Sequence, residues 1–128
     1  MRVFAIKYKP TPPRPTFEGY NCEVKTLYKK GLLPQLKKDF YGHEIKKATT
    51  EHLIPKSKGG KNSSKNTVIA DATINNLRGD KPLADFINFK AMAEYFEVFR
   101  NKVFGNLNGN EYIAGILETV SECLRKGL

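Results

Sequence analysis

The sequence predicts a single α+β domain, predominantly helical, with its strands gathered mid-chain. Three observations carry this. The chain of 128 residues suffices for one domain with a modest core and is short for two. Between residues 47 and 79, two strand-like runs flank a glycine- and lysine-rich loop and lead into a short helix. From residue 82 onward, apolar residues recur at the three- and four-residue spacing of amphipathic helices.

Residues 2–8 set Val3 and Ala5 against Phe4 and Ile6, the alternation of a short strand. Pro10, Pro12, Pro13 and Pro15 then bar both helix and ladder, so 9–16 is an extended connector. Two short helices are expected over 23–30 and 34–40. Gly31 ends the first, Pro34 suits the first turn of the second, and Gly42 closes the pair. A strand over 47–54 is stopped by Pro55, and 56–66 is a loop of Lys, Ser, Gly and Asn. A second strand follows over 67–70. Asp71 is a good N-cap for a helix over 72–78, and Gly79 stands where a C-terminal glycine belongs. Leu83, Phe86, Phe89, Ala93, Phe96, Phe99 and Val103 predict one helix through 82–105, their stripe facing the core. A turn over 105–110 leads to a last helix over 111–125, with Ile113, Ile116, Leu117, Val120 and Leu124 on one face. The whole is read as one domain over 1–128, with a motif core at 47–83, an N-terminal strand and helical segment over 1–46, and C-terminal helices over 82–127.

Charge narrows the partners. Lys and Arg number 22 against 13 Asp and Glu, a net charge of +9, which favours nucleic acid first and an anionic membrane second. No apolar run approaches a membrane span, and the N-terminus is too soon basic for a signal peptide, so a soluble cytoplasmic protein is expected. Cys22 and Cys123 form no C-x-x-C pair, which excludes a four-thiolate site; no structural zinc is expected, and both read as free thiols.

The stretch from 49 to 83 holds the residues with chemistry. Asn75 and Arg78 are three apart and share a helix face. An amide oxygen suits a hard cation and a guanidinium suits phosphate oxygens, although the same pair can equally cap a turn and face water. His43 reads as a structural histidine. His52 differs in following Glu51 and preceding Pro55 and a glycine-lysine loop, and imidazole is the side chain that can take a proton from water near neutrality.

Taken together, E-H-x-x-P-x-S-x-G-G over 51–60, then Asn66, then Asn75-x-x-Arg78-Gly79-Asp80, resembles the HNH endonuclease motif of the His-Me finger (ββα-metal) nucleases. The resemblance covers about a quarter of the chain, residues 49–83. It implies a ββα-metal centre with flanking helices, and metal-dependent hydrolysis of DNA phosphodiester bonds. His52 would be the general base that activates water. Glu51 and Asn75 would ligate one divalent cation, Mg²⁺ or Mn²⁺, and Asn66 would brace the loop and orient His52. Arg78 would lie near the scissile phosphate or the strand beyond it. Lys56, Lys58, Lys61 and Lys65 would supply a salt-sensitive hold on the nucleic-acid backbone. DNA is expected ahead of RNA, with no membrane partner. The family more often has Asp or His where this chain has Glu51. Strict strand alternation also sends Glu51 and His52 to opposite faces, so their joint action requires an irregular backbone there.

Two other readings compete: a nucleic-acid-binding protein that keeps the fold without catalysis, and a basic protein-interaction module, which leaves Asn75-x-x-Arg-Gly-Asp unexplained. A homodimer through the phenylalanine-rich helices, the sequence specificity, and nicking as against double-strand cutting are left open.

Overall fold

A computed structural model describes residues 36–128. The strand expected over 2–8, the connector over 9–16 and the helix over 23–30 lie outside them. The described chain is α+β: strands β1 (Ala48–His52) and β2 (Thr67–Asp71), helices α1 (Ala72–Arg78) and α2 (Phe89–Glu97), a hairpin of β3 (Val103–Phe104) and β4 (Leu107–Asn108), and helix α3 (Gly109–Lys126).

The helix expected over 34–40 is not formed in its described part. Lys38 instead makes an isolated antiparallel bridge with Glu44. Asp39 is the cause: its buried carboxylate accepts Tyr41 N at 2.9 Å and His43 N at 2.8 Å, bending the backbone into a turn that competes with helix.

β1 and β2 pair antiparallel without a slip, from Ala48 opposite Asp71 to His52 opposite Thr67. A two-stranded ribbon leaves both outer edges bare, and buried backbone groups must find partners. On β2 the partners come from four places. Tyr112 Oη donates to Thr67 O at 2.8 Å, and Ile69 N donates to Tyr95 Oη at 3.1 Å. Phe40 N donates to Ile69 O at 3.1 Å, and Asp71 N donates to Asp39 Oδ2 at 2.9 Å. The two phenols also touch each other at 2.9 Å, and burial pushes both well above the usual tyrosine range, so they remain neutral hydrogen-bonding groups. One tyrosine from α2 and one from α3 thus fix the helices to the ribbon.

α1 spans the residues its sequence predicts, and the Asp71 carboxylate accepts Thr73 N at 3.1 Å as its cap. The single helix expected through 82–105 is broken. Leu83–Asp85 is one 3-10 turn. Asn88 then caps α2 by accepting Ala91 N at 3.0 Å, and Asn101 at φ 60° marks the turn into the β3–β4 hairpin. The buried face of α2 is Ala91, Met92, Tyr95 and Phe96, while Phe89 is 58% and Val103 68% exposed. α3 starts earlier than expected, at Gly109, where any Cβ would overlap the Phe99 carbonyl oxygen. It buries Tyr112, Ile113, Ile116, Thr119, Val120 and Cys123, leaving Leu117 and Leu124 at 44% and 39% exposure. The core therefore joins Val68 and Ile69 of the ribbon to Leu53, Leu83, Met92, Phe96, Phe99, Leu107, Ile116 and Val120. Cys123 is a buried free thiol against Leu53 O. No described helix is long and apolar enough to cross a membrane.

Candidate functional site

β1 ends at His52, and the loop of residues 53–66 returns the chain to β2 through a frame built by Asn66. The Asn66 side chain accepts Ile54 N at 2.7 Å through Oδ1 and donates from Nδ2 to Ile54 O at 3.1 Å and Lys61 O at 3.0 Å. All three bonds lie within the loop, so this buried amide ties its two limbs together. The turn at Pro55 adds two more, Lys58 N and Gly60 N both donating to Pro55 O. The double glycine has two separate reasons. Gly59 adopts φ 92°, and a Cβ on Gly60 would overlap the Ile54 carbonyl oxygen. His52, half-buried, has its Nε2 at 2.6 Å from Asn62 Oδ1. Nothing in the sequence singled out Asn62, an ordinary residue for a polar loop.

Glu51 and His52 do not converge. β1 is a regular strand through both residues, with Glu51 opposite Val68 and His52 opposite Thr67. Alternation holds, and Glu51 turns into the interior while His52 is only half covered. The Glu51 carboxylate Oε2 accepts from the Tyr41 hydroxyl at 2.7 Å and from Arg78 Nη1 at 3.3 Å. Burial pushes this carboxyl above the usual carboxylate range, and the Tyr41 hydroxyl and Arg78 guanidinium act against that rise.

Arg78 stands in a different place from the one the motif suggests. Its side chain is fully buried. Nε donates to Lys81 O at 2.9 Å, Nη1 to His52 O at 3.1 Å as well as to Glu51, and Nη2 to Leu128 O at 3.0 Å. With its fork committed to four acceptors inside the protein, the guanidinium has no face for phosphate. This corrects the expectation that Arg78 binds nucleic acid.

Asn75 lies one helical turn earlier on the same face, and its Nδ2 donates to Thr49 Oγ1 and Thr50 O, both at 3.0 Å. Thr50 O and His52 O are alternate carbonyls on the edge of β1 that faces away from β2. Asn75 and Arg78 cap them in turn, so the spacing that placed both residues on one face docks α1 along that edge. Both bonds use Asn75 Nδ2, so the amide oxygen is the atom of this side chain that would suit a hard cation.

Of the four loop lysines, Lys56, Lys58 and Lys61 are exposed, and no carboxylate among the described residues pairs with them. Lys65 forms a 2.7 Å ion pair with Glu118 of α3, with both side chains largely in solvent. No family model, curated protein or solved structure matches this chain.

Proposed function

We propose that this protein is an HNH-type endonuclease that hydrolyses DNA phosphodiester bonds, with His52 as general base. The observation that carries the proposal is the placement of His52. It is half-exposed at the end of a strand, its ring held by a loop residue and its backbone carbonyl by Arg78, beside a loop with three lysines that pair with no carboxylate among the described residues. In the proposed reaction His52 takes a proton from a water molecule whose oxygen attacks phosphorus. The bond from phosphorus to the leaving sugar oxygen breaks, and that oxygen takes a proton from solvent. Asn66 and Arg78 act by positioning the two chain segments around the base. Lys56, Lys58 and Lys61 hold the polyanion, and a net charge of +9 draws it in.

Mg²⁺ or Mn²⁺ belongs to this proposal through the motif, and the residues as arranged fit it only in part. Asn75 offers a hard amide oxygen. Glu51 does not, because its carboxylate is buried and bound to Tyr41 and Arg78. Among the described residues, no three His, Cys, Asp or Glu side chains gather as a metal-binding group. The two-ligand site of Glu51 and Asn75 is not assembled, and no step is routed through a cation.

That same ion pair favours a second reading, a nucleic-acid-binding protein that keeps the arrangement without cutting. Plasmid DNA incubated with the purified chain and Mg²⁺ or Mn²⁺, with EDTA as control, separates the two. Metal-dependent cleavage supports the nuclease. Salt-dependent binding with no cleavage in either metal supports the second reading. Asn75→Ala is expected to weaken the metal response, and an unchanged response would remove Asn75 from the ligand set.

A further inference from the structure

We propose that Asn62 is a positioning residue that holds the neutral His52 ring in its Nε2–H tautomer, leaving the lone pair on Nδ1. A neutral imidazole carries a single N–H, and an amide oxygen only accepts. The 2.6 Å contact from His52 Nε2 to Asn62 Oδ1 therefore puts the proton on Nε2. Nδ1 is the nitrogen left to receive a proton.

The loop is built to keep that acceptor in place. Lys61, just before Asn62, has its carbonyl bound by Asn66 Nδ2 at 3.0 Å. Ser63, just after it, has its carbonyl bound by Asn66 N at 3.0 Å and by Thr67 Oγ1 at 2.9 Å. Asn62 is thus bracketed by two fixed peptide groups, both tied to Asn66. Asn66 orients His52 through Asn62 and touches the ring nowhere in the hydrogen-bond pattern. A hydrogen-bonding partner of this kind fixes which ring nitrogen is available as well as the ring plane; partners that orient metal-ligating histidines typically contribute roughly 10- to 100-fold, and an effect of that order is expected here.

The catalytic meaning of the tautomer rests on His52 being the base; the tautomer itself does not. Ring-nitrogen NMR of the full chain at a pH where His52 is neutral, with His52→Ala assigning its signals against those of His43, reads the tautomer directly. The wild-type ring is expected as Nε2–H. Asn62→Leu, similar in size but without an acceptor, is expected to give a mixture of tautomers, and Asn62→Asp to restore Nε2–H. In plasmid cleavage, Asn62→Leu is expected to lose roughly 10- to 100-fold while Asn62→Asp keeps most of the rate. A wild-type ring in the Nδ1–H form overturns the proposal whatever the variants do. So does a folded Asn62→Leu protein whose tautomer is unchanged. A tautomer that responds to Asn62 in a protein that cuts no DNA supports the lock and overturns the hydrolytic reading instead.

Discussion

Arg78 ties distant parts of this molecule together, since one guanidinium joins the carbonyls of His52, Lys81 and Leu128 to the Glu51 carboxylate. Removing one partner of a buried pair strands the other, which costs about 3–5 kcal/mol, whereas replacing both with apolar groups costs far less. Arg78→Leu and Glu51→Leu are each expected to lower the urea-unfolding stability by an amount of that order. The double variant is expected to fall well short of the sum, and strict additivity would show that the pair is not coupled. Gly60→Ala is expected to cost about 1–3 kcal/mol in the same measurement, because the new methyl meets the Ile54 carbonyl and not a yielding side chain. At this scale the sequence was half legible. The three-residue interval put Asn75 and Arg78 on one face, but not on the edge of β1 where that face docks, which depends on how α1 packs. The resemblance required an irregular backbone to bring Glu51 and His52 to one site; the strand is regular, and alternation parts them. Asn62 carried no signal, because an asparagine in a polar loop is ordinary composition until its distance to His52 is known.

Among the elements, the strand, loop, strand and helix from 48 to 78 were legible because the loop glycines and the Asp71 cap act locally, although β1 stops at His52, short of the end that Pro55 suggested. The region after residue 82 was not. Its apolar period runs on past Asn88, whose side chain starts α2 afresh, and past Glu97, where α2 ends before Asn101 at positive φ turns the chain into the hairpin. Asp71 yields a prediction on pH. Backbone N–H groups of Lys46 and Lys47, with the α1 cap bond from Thr73, hold its carboxyl below the usual carboxylate range. A folded value below the unfolded one gives stability that is present above the ordinary carboxylate pKa of about 4 and lost as pH falls through the folded value. Thermal unfolding followed into acid is expected to show that loss in the wild type and a flatter acid limb in Asp71→Asn. The loop lysines give another. Lys58→Ala and Lys61→Ala are each expected to reduce the slope of log K for DNA against log salt by about 0.9, if each meets one phosphate. Lys65→Ala is expected to change it less, because Glu118 already opposes that charge. Anisotropy titrations across a salt series read both.

For the whole molecule, a strongly basic chain has α2 and α3 joined to the β1–β2 ribbon by buried tyrosines, and a half-exposed histidine at the end of β1. The α+β class followed from length and periodicity, whereas the joining of helices to ribbon through Tyr95 and Tyr112 is a long-range fact that no local pattern encodes. The proposed function requires that His52 take the proton in phosphodiester hydrolysis. Its most direct test is the initial rate of supercoiled-plasmid cleavage by wild type and His52→Ala, in Mg²⁺ or Mn²⁺, at protein concentrations giving equal DNA occupancy. His52→Ala is expected to lose about 10²- to 10⁴-fold, the usual contribution of a general base, with DNA binding unchanged. Equal rates for the two proteins, or equal DNA binding with no cleavage by either, would contradict it.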